Sequence, residues 1–417
     1  AASKGSLHTS HIRNEGDTVQ ESVEEVLAVG RQTQCATLVS HHKCMMPANW
    51  GRSSHTLANI DRARADGVQA TLDIYPYSGS STILIPERVA WENYAKVFES
   101  AAFLTFFRNS LIVTGAVHGN ETCGTKAIRR VVAEIESGLL AIVAGEVTFV
   151  PVTNPLAYLK GDRAGDRNLN RNLSPTATPA DFEDRVANWL CPLLGRHEIL
   201  LDLHSTRAKN PAFAMLGPFD NPGPLQPFAH AAKERSLALV LGVNRFVDGW
   251  LETYARGVER RKARAGANPA TRAAALNADP KYGVGTTEYM RSTGGCAITL
   301  ECGQHEDPAA PEVAYHAIRN ALAHLALADL PAPAPVAERE YLSLVDVIDR
   351  LDAKDAFAKE WSSFNRLAAG ELIGTRADGT EVRAPEDGYI VFPDHKALAG
   401  NEWFYLARPR RAEEIPG

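Results

Sequence analysis

Apolar residues along this chain gather in short unbroken runs, and between the runs they recur every three or four positions, the alternation of buried strands with amphipathic helices. From Leu111 onward the pattern predicts a strand over 111–117 and a helix over 122–136 with Ala127, Ile128, Val131, Val132 and Ile135 on one face. A strand over 146–152, a helix over 181–194, a strand over 198–203, a largely helical 223–234, a central strand over 296–301 and a helix over 308–328 follow. Such a succession specifies an α/β fold with a mixed, mostly parallel sheet covered by helices on both faces. The last helix should run into a stiff proline-rich linker, 330–336. Beyond it, turn residues separate short alternating runs, as in Arg376-Ala-Asp-Gly-Thr-Glu-Val382, and predict a small C-terminal β domain. Arg256 to Lys281, rich in Arg and Ala, reads as a helical insertion lining the entrance to a site. Upstream, 19–30 reads as a helix, 37–40 as a short strand and 60–66 as the end of another helix. The expected domains are 1–91, 92–330 and 331–417.

Two of the predicted strands end in groups that bind metals. His118 and Glu121 close the first run and His204 closes Leu200-Leu201-Asp202-Leu203. Brought together they supply two nitrogens and one carboxylate, the ligand set of an open catalytic zinc. Each half alone also fits a chance pair or an ordinary hydrogen-bonded histidine beside a core. Three protein ligands leave a position for water, whose pKa zinc lowers towards about 7. Glu301, a lone carboxylate after Ala297-Ile-Thr-Leu300, is the candidate for general base and then acid work beside a metal-bound water, with a buried structural ion pair as the alternative. Asp202 lies two before His204, on the same face of a strand, where it either orients the ligand or has a plain structural role.

Composition narrows the class without naming it. At 417 residues, 45% hydrophobic and 23% charged, the chain has room for two or three domains. A net charge of -6 excludes a polyanion-binding signature, so nucleic acid is not an expected partner. No apolar stretch has the length of a membrane span and the first residues lack a signal pattern, so a cytoplasmic protein that does not engage membranes is expected. Self-association into a homo-oligomer is compatible with this composition. The six cysteines form no close Cys-x-x-Cys pair and read as buried thiols.

Four motifs, Thr114-Gly-Ala-Val-His-Gly-Asn-Glu121, Asn168-Leu-Asn-Arg171, Leu201-Asp-Leu-His-Ser205 and Leu300-Glu-Cys-Gly-Gln-His305, occur in an order that resembles the zinc-carboxypeptidase-like deacylases of the succinylglutamate desuccinylase and aspartoacylase family, over about 111–417. The resemblance implies one Zn2+ per chain on His118, Glu121 and His204, and Glu301 as general base and then acid. It also implies that Arg163 polarises the scissile carbonyl, while Asn170, Arg171 and Arg291 hold a substrate carboxylate. Surface arginines are the alternative for Arg163, Arg167 and Arg171. Asn168 stands where the family commonly has Asp, and the stretch 91–110 is shorter than the region relatives place before the first metal-binding strand. The expected activity is hydrolysis of the amide bond of an N-acyl amino acid or a similar anionic, carboxylate-bearing small molecule.

The first 88 residues carry a different likeness. Thr9-Ser-His-Ile-Arg-Asn-Glu-Gly16, Ser40-His-His-Lys43, Asn49-Trp-Gly-Arg52 and Asp73-Ile-Tyr-Pro-Tyr77 resemble the N-acyl-D-amino-acid deacylases of the amidohydrolase superfamily. That resemblance implies a fragment of a (β/α)8 barrel with His11 and His41 at metal-binding positions. A whole barrel takes about 250 residues, so the segment is expected to be an appendage of the deacylase part. The rival expectations are a D-amino-acid deacylase served by His11 and His41, and an inactive fused binding protein.

Overall fold

Strands and helices alternate through most of the computed structural model, which describes residues 7–40, 42–44, 49, 51–73, 110–218, 228–265 and 272–410. The described residues divide between two compact units, one up to residue 73 and one from residue 110.

In the first unit, β1 (Leu7–His11), β2 (Ala36–Ser40) and β3 (Ala70–Leu72) pair in parallel in that order, linked by α1 (Val19–Thr33) and α2 (Ser53–Ala65). Val19, Val23, Val26 and Leu27 fall on one face of α1 and pack with Val39, Ile60 and Ala63. The predicted helix over 19–30 continues to Thr33, where Gln34 turns left-handed at φ 57° and closes it on the carbonyl of Gly30. His11 ends β1 exposed to solvent. His41, the residues after Asp73 and the junction up to residue 109 lie outside the described residues.

The second unit is built on ten strands in one sheet. Its elements are β4 (Ser110–Gly115), α3 (Cys123–Glu136), β5 (Glu146–Val150), α4 (Pro155–Lys160), α5 (Phe182–Leu194), β6 (Ile199–Thr206), β7 (Phe213–Met215) and α6 (Ala231–Ala238). After these come β8 (Arg245–Asp248), α7 (Trp250–Ala265), α8 (Arg272–Asn277), α9 (Thr286–Ser292), β9 (Cys296–Gln304) and α10 (Ala310–His324). The chain finishes with β10 (Glu340–Asp349), β11 (Ala356–Phe357), β12 (Arg366–Leu367), β13 (Leu372–Thr375), β14 (Glu381–Arg383), β15 (Gly388–Val391) and β16 (Glu402–Pro409). The strand order is β12-β15-β16-β10-β8-β7-β9-β6-β4-β5. From β9 to β5 the pairing is parallel, and β7 runs antiparallel to β9. This is the expected α/β fold on a large mixed sheet.

Strand alternation sorts β6 and β9 into two faces. Ile199, Leu201 and Leu203 join Ile298 and Leu300 in a core with Ile128 and Val131 of α3 and Ile318 and Leu322 of α10. Asp202, His204 and Glu301 therefore share the opposite face. Every residue of β6 is buried, which is why its sequence is an apolar run and not an alternating one.

Two expectations change. The C-terminal strands do not stand apart: β10 lies parallel to β8, with Tyr341 beside Phe246, and β16, β15 and β12 extend the same sheet. Leu342, Leu344 and Val347 need cover and find it against Phe213, Val247 and Tyr254. Of the C-terminal strands described, only β11, β13 and β14 form a sheet of their own. The largely helical 223–234 is helical only from Ala231 in its described part, and Phe228 instead fills the main core.

Candidate metal centre and active site

The centre forms where β4, β6 and β9 end. β4 stops two residues short of its apolar run because Ala116 takes a left-handed conformation, φ 48°, and the carbonyls of Gly115 and Ala116 turn to accept the N–H groups of Thr153 and Asn154. His118 to Glu121 thus form a tight loop beyond the strand. Gly119 is required there, since a Cβ would lie 1.9 Å from the carbonyl carbon of Ala157 in α4.

Loop and strand then meet. His118 Nδ1 lies 2.8 Å from Glu121 Oε1, and His204 Nδ1 lies 2.8 Å from Glu121 Oε2. One donor atom from each of the three residues falls within 4.8 Å of the others, and all three residues are buried. The far nitrogens are also held. His118 Nε2 is 3.0 Å from Asn168 Oδ1, and His204 Nε2 is 2.8 Å from Asp202 Oδ2, which in turn accepts from the hydroxyl of Thr286 while Thr114 Oγ1 donates to Asp202 Oδ1 at 2.6 Å. Oriented imidazoles with outer oxygen partners, aimed at a shared carboxylate, are the arrangement that a divalent metal uses. The donor set fits zinc.

The two rings differ in their electrostatics. Burial, helped by the charge of Arg163, pushes His118 down to about 4 and keeps it neutral at pH 7, the form in which imidazole ligates. Burial also acts to lower His204, but the carboxylates of Asp202 and Glu121 outweigh it and raise the ring well above its ordinary value. Glu301 pairs in register with His204 across β6 and β9. Burial pushes its carboxyl up to about 8, and Oε2 has no hydrogen-bond partner. A carboxyl that holds its proton near neutrality beside such a set can take a proton and return it.

These groups line a cavity of about 150 Å³ together with Asn120, Arg163, Asn170, Arg171 and His305. Arg163 Nη1 donates to Glu121 Oε1 at 3.0 Å, and its side chain is 43% exposed, so the guanidinium is only partly engaged. The loop carrying it is pinned by the buried Glu183, which accepts the backbone N–H groups of Gly165, Asp166 and Arg167. Asn170 Oδ1 accepts from Thr286 N at 2.8 Å. Arg171 is buried: Nη1 donates to its neighbour's carbonyl at 2.8 Å and Nη2 to Tyr254 Oη at 2.5 Å, with the Tyr254 ring 4.9 Å away and Glu402 Oε1 3.7 Å from Nε. Arg167 belongs to structure, bound to Asp181 and Asp184 at 3.0 Å each.

Arg291 needs correction as a carboxylate-binding residue. It borders the cavity, but Nε and Nη2 bond to Glu234 at 3.0 and 3.3 Å, Nη1 to Glu288 at 3.3 Å and Nη2 to the carbonyl of Ala297 at 2.6 Å. Two glutamates already neutralise it, so it has no free charge to offer.

Sequence reasoning missed Glu402. Burial would raise its carboxyl, but Arg171 and Arg261 outweigh this and hold it down at about 2. The signal was present: Glu402 is a lone carboxylate adjoining the apolar run 403–407, the same pattern that marks Glu301. Ser205 and His305 were also missed as a bonded pair, 2.9 Å from Oγ to Nδ1. No other group of three metal-binding side chains occurs among the described residues, His11 included.

Residues 108–326 match the family model of the succinylglutamate desuccinylase/aspartoacylase catalytic domain. The fold is similar to that of a succinylglutamate desuccinylase/aspartoacylase from Rhodobacter sphaeroides, with a TM-score of 0.54 at 16% identity over 73% of this chain and 86% of that one. The ectoine utilization protein EutE (DoeB) from Ruegeria pomeroyi, solved with product bound, gives 0.53 at 17% identity over 72% and 86%. The N-terminal segment is 77% identical over 88 residues to an N-acyl-D-glutamate deacylase of Alcaligenes xylosoxydans xylosoxydans, covering 21% of this chain and 18% of that protein. The chain therefore spans about a fifth of the length of the curated relatives it matches.

Proposed function

The chain belongs to the succinylglutamate desuccinylase/aspartoacylase family, and from that premise we propose that it is a zinc-dependent hydrolase that cleaves the amide bond of an N-acyl amino acid or a related carboxylate-bearing small molecule. The observation that carries this reading is the convergence of His118, Glu121 and His204 beside the buried carboxyl of Glu301, whose Oε2 has no partner. One zinc per chain, held by those three residues, would polarise the scissile carbonyl and make water a better nucleophile at neutral pH.

The protein's own groups account for the rest. Glu301 accepts the proton of the attacking water and passes it to the leaving nitrogen, a task suited to a carboxyl raised to about 8. Arg163, at the rim with its guanidinium partly free, offers N–H groups to the oxygen that gains negative charge. Asn170 and Arg171, which line the cavity, take the substrate carboxylate in this reading, and Arg291, bound to Glu234 and Glu288, has a structural part. Because Glu402 already partners Arg171, a substrate carboxylate there meets a tempered charge, which favours singly charged substrates. The cytoplasm and a small anionic substrate, with neither nucleic acid nor membrane as partner, are part of the proposal; among the described residues no helix is long and apolar enough to cross a membrane.

A second reading, deacylation of N-acyl-D-amino acids through His11 and His41, has the 77% identity of the N-terminal segment in its favour. A hydrolysis screen over N-acetyl, N-succinyl and longer N-acyl L- and D-amino acids, with zinc supplied and then chelated, separates the readings. Zinc-dependent release of amine from an L-substrate, lost in His204→Ala, is expected. Hydrolysis that survives that substitution would favour the second reading.

A further inference from the structure

A scissile amide presents two polar groups, a carbonyl that accepts and an N–H that donates. The cavity beside the metal centre is rich in partners for the first. Arg163 can only donate, and Glu301, as the base of the proposed function, is committed to the attacking water. The lone pairs of His118, Glu121 and His204 belong to the metal in the proposed function, and Ser205 Oγ is engaged by His305 Nδ1 at 2.9 Å. One neutral acceptor remains in the same loop as the ligands. Asn120 borders the cavity, and its Oδ1 is buried with no hydrogen-bond partner.

The orientation of that amide is set from behind. Asn120 Nδ2 lies 3.4 Å from His305 Nε2. Burial lowers the pKa of His305, so the ring is neutral at pH 7 and carries one proton. With Nε2 accepting from Asn120, the proton sits on Nδ1 and donates to Ser205 Oγ, and Asn120 Oδ1 is the amide atom left without a partner. Leaving such an acceptor buried and unpaired is costly, and a substrate donor relieves the cost.

We propose that Asn120 is a substrate-positioning residue that accepts the N–H of the scissile amide, with His305 and Ser205 as the pair that fixes its orientation. Holding that N–H turns the nitrogen lone pair, once it forms in the tetrahedral adduct, towards Glu301, so that the proton arrives where the C–N bond breaks. The inference rests on the proposed amidohydrolase reading and adds to it a preference for substrates with an N–H over those without one.

The test compares an N-acyl amino acid with its ester counterpart, in which oxygen replaces N–H, for the zinc-loaded full chain and for Asn120→Ala. Zinc content and thermal unfolding are measured on the same samples. The substitution is expected to lower kcat/KM for the amide by about 10-fold or more, the worth of one hydrogen bond to a buried acceptor, and to leave the ester within about 2-fold, with zinc and unfolding unchanged. His305→Ala, which removes the support and not the acceptor, should show a smaller loss of the same amide-selective kind, and it serves as the test if Asn120→Ala does not fold. Equal losses on amide and ester, or none on either, would overturn the inference while leaving the hydrolase reading intact. A wild-type chain inert to both substrates would overturn the reading itself, and this inference with it.

Discussion

At the residue scale the proposed chemistry turns on Glu301, buried at the register position opposite His204. Replacing it with Gln keeps the size and removes the titrating group, so Glu301→Gln is expected to retain zinc and lose turnover by about 100-fold or more. Steady-state hydrolysis and metal analysis on one sample check this. The pH dependence follows with a definite sign. Burial favours the neutral carboxyl and places it at about 8 in the metal-free chain, and a bound dication favours the carboxylate and moves it back down. As a base it works only when ionised, so kcat/KM should rise with pH along a limb above the ordinary carboxylate range and below about 8. That limb should vanish in Glu301→Gln. The sequence offered His118, Glu121, His204 and Glu301 as candidates because each lies at or just beyond the end of an apolar run, and the fold brings the first three together. The part of Arg291 was not legible, because a buried arginine looks the same in sequence whether it faces a substrate or another glutamate.

Elements explain why Arg291 went to structure. Glu234 on α6 reaches Arg291 on α9, and both bond to the backbone of Ala297 on β9, so one ion pair ties two helices to the central strand. Both side chains are only 2% exposed. Removing one partner from a buried pair strands the other charge, and Glu234→Ala should lower unfolding stability by about 3 kcal/mol or more. Denaturant unfolding measures that. If it instead weakened substrate binding without loss of stability, Arg291 would return to the site. The sequence showed the type of most elements and misplaced their ends, since caps depend on contacts made elsewhere. α5 starts where expected because Asp181 caps it through Asp184 N at 2.8 Å, whereas β4 ends early through the turn at Ala116, which no periodicity reveals. Glu402 arrives on β16 from more than 200 residues beyond Arg163, so only the strand pairing brings it into the cavity.

On the scale of the molecule, the change in pattern at residue 331 reads as a domain boundary, yet β10 joins the sheet beside β8. Local pattern shows that a strand has an apolar face, but not which sheet covers it. The division near the N-terminus is different in kind. Residues 7–73 close their own small core, and every group placed in the chemistry lies after residue 110. Removing residues 1–88 is therefore expected to leave zinc content and hydrolysis unchanged, with metal analysis and activity measured on the truncated protein. If it stayed folded and zinc-loaded but hydrolysed nothing, the N-terminal segment would belong to the active site. The central claim, that one metal sits on His118, Glu121 and His204, is met most directly by counting zinc per chain in the wild type, His118→Ala and His11→Ala. One zinc in the wild type and in His11→Ala, falling to about none in His118→Ala, is the predicted result. Zinc retained in His118→Ala and lost in His11→Ala would contradict it.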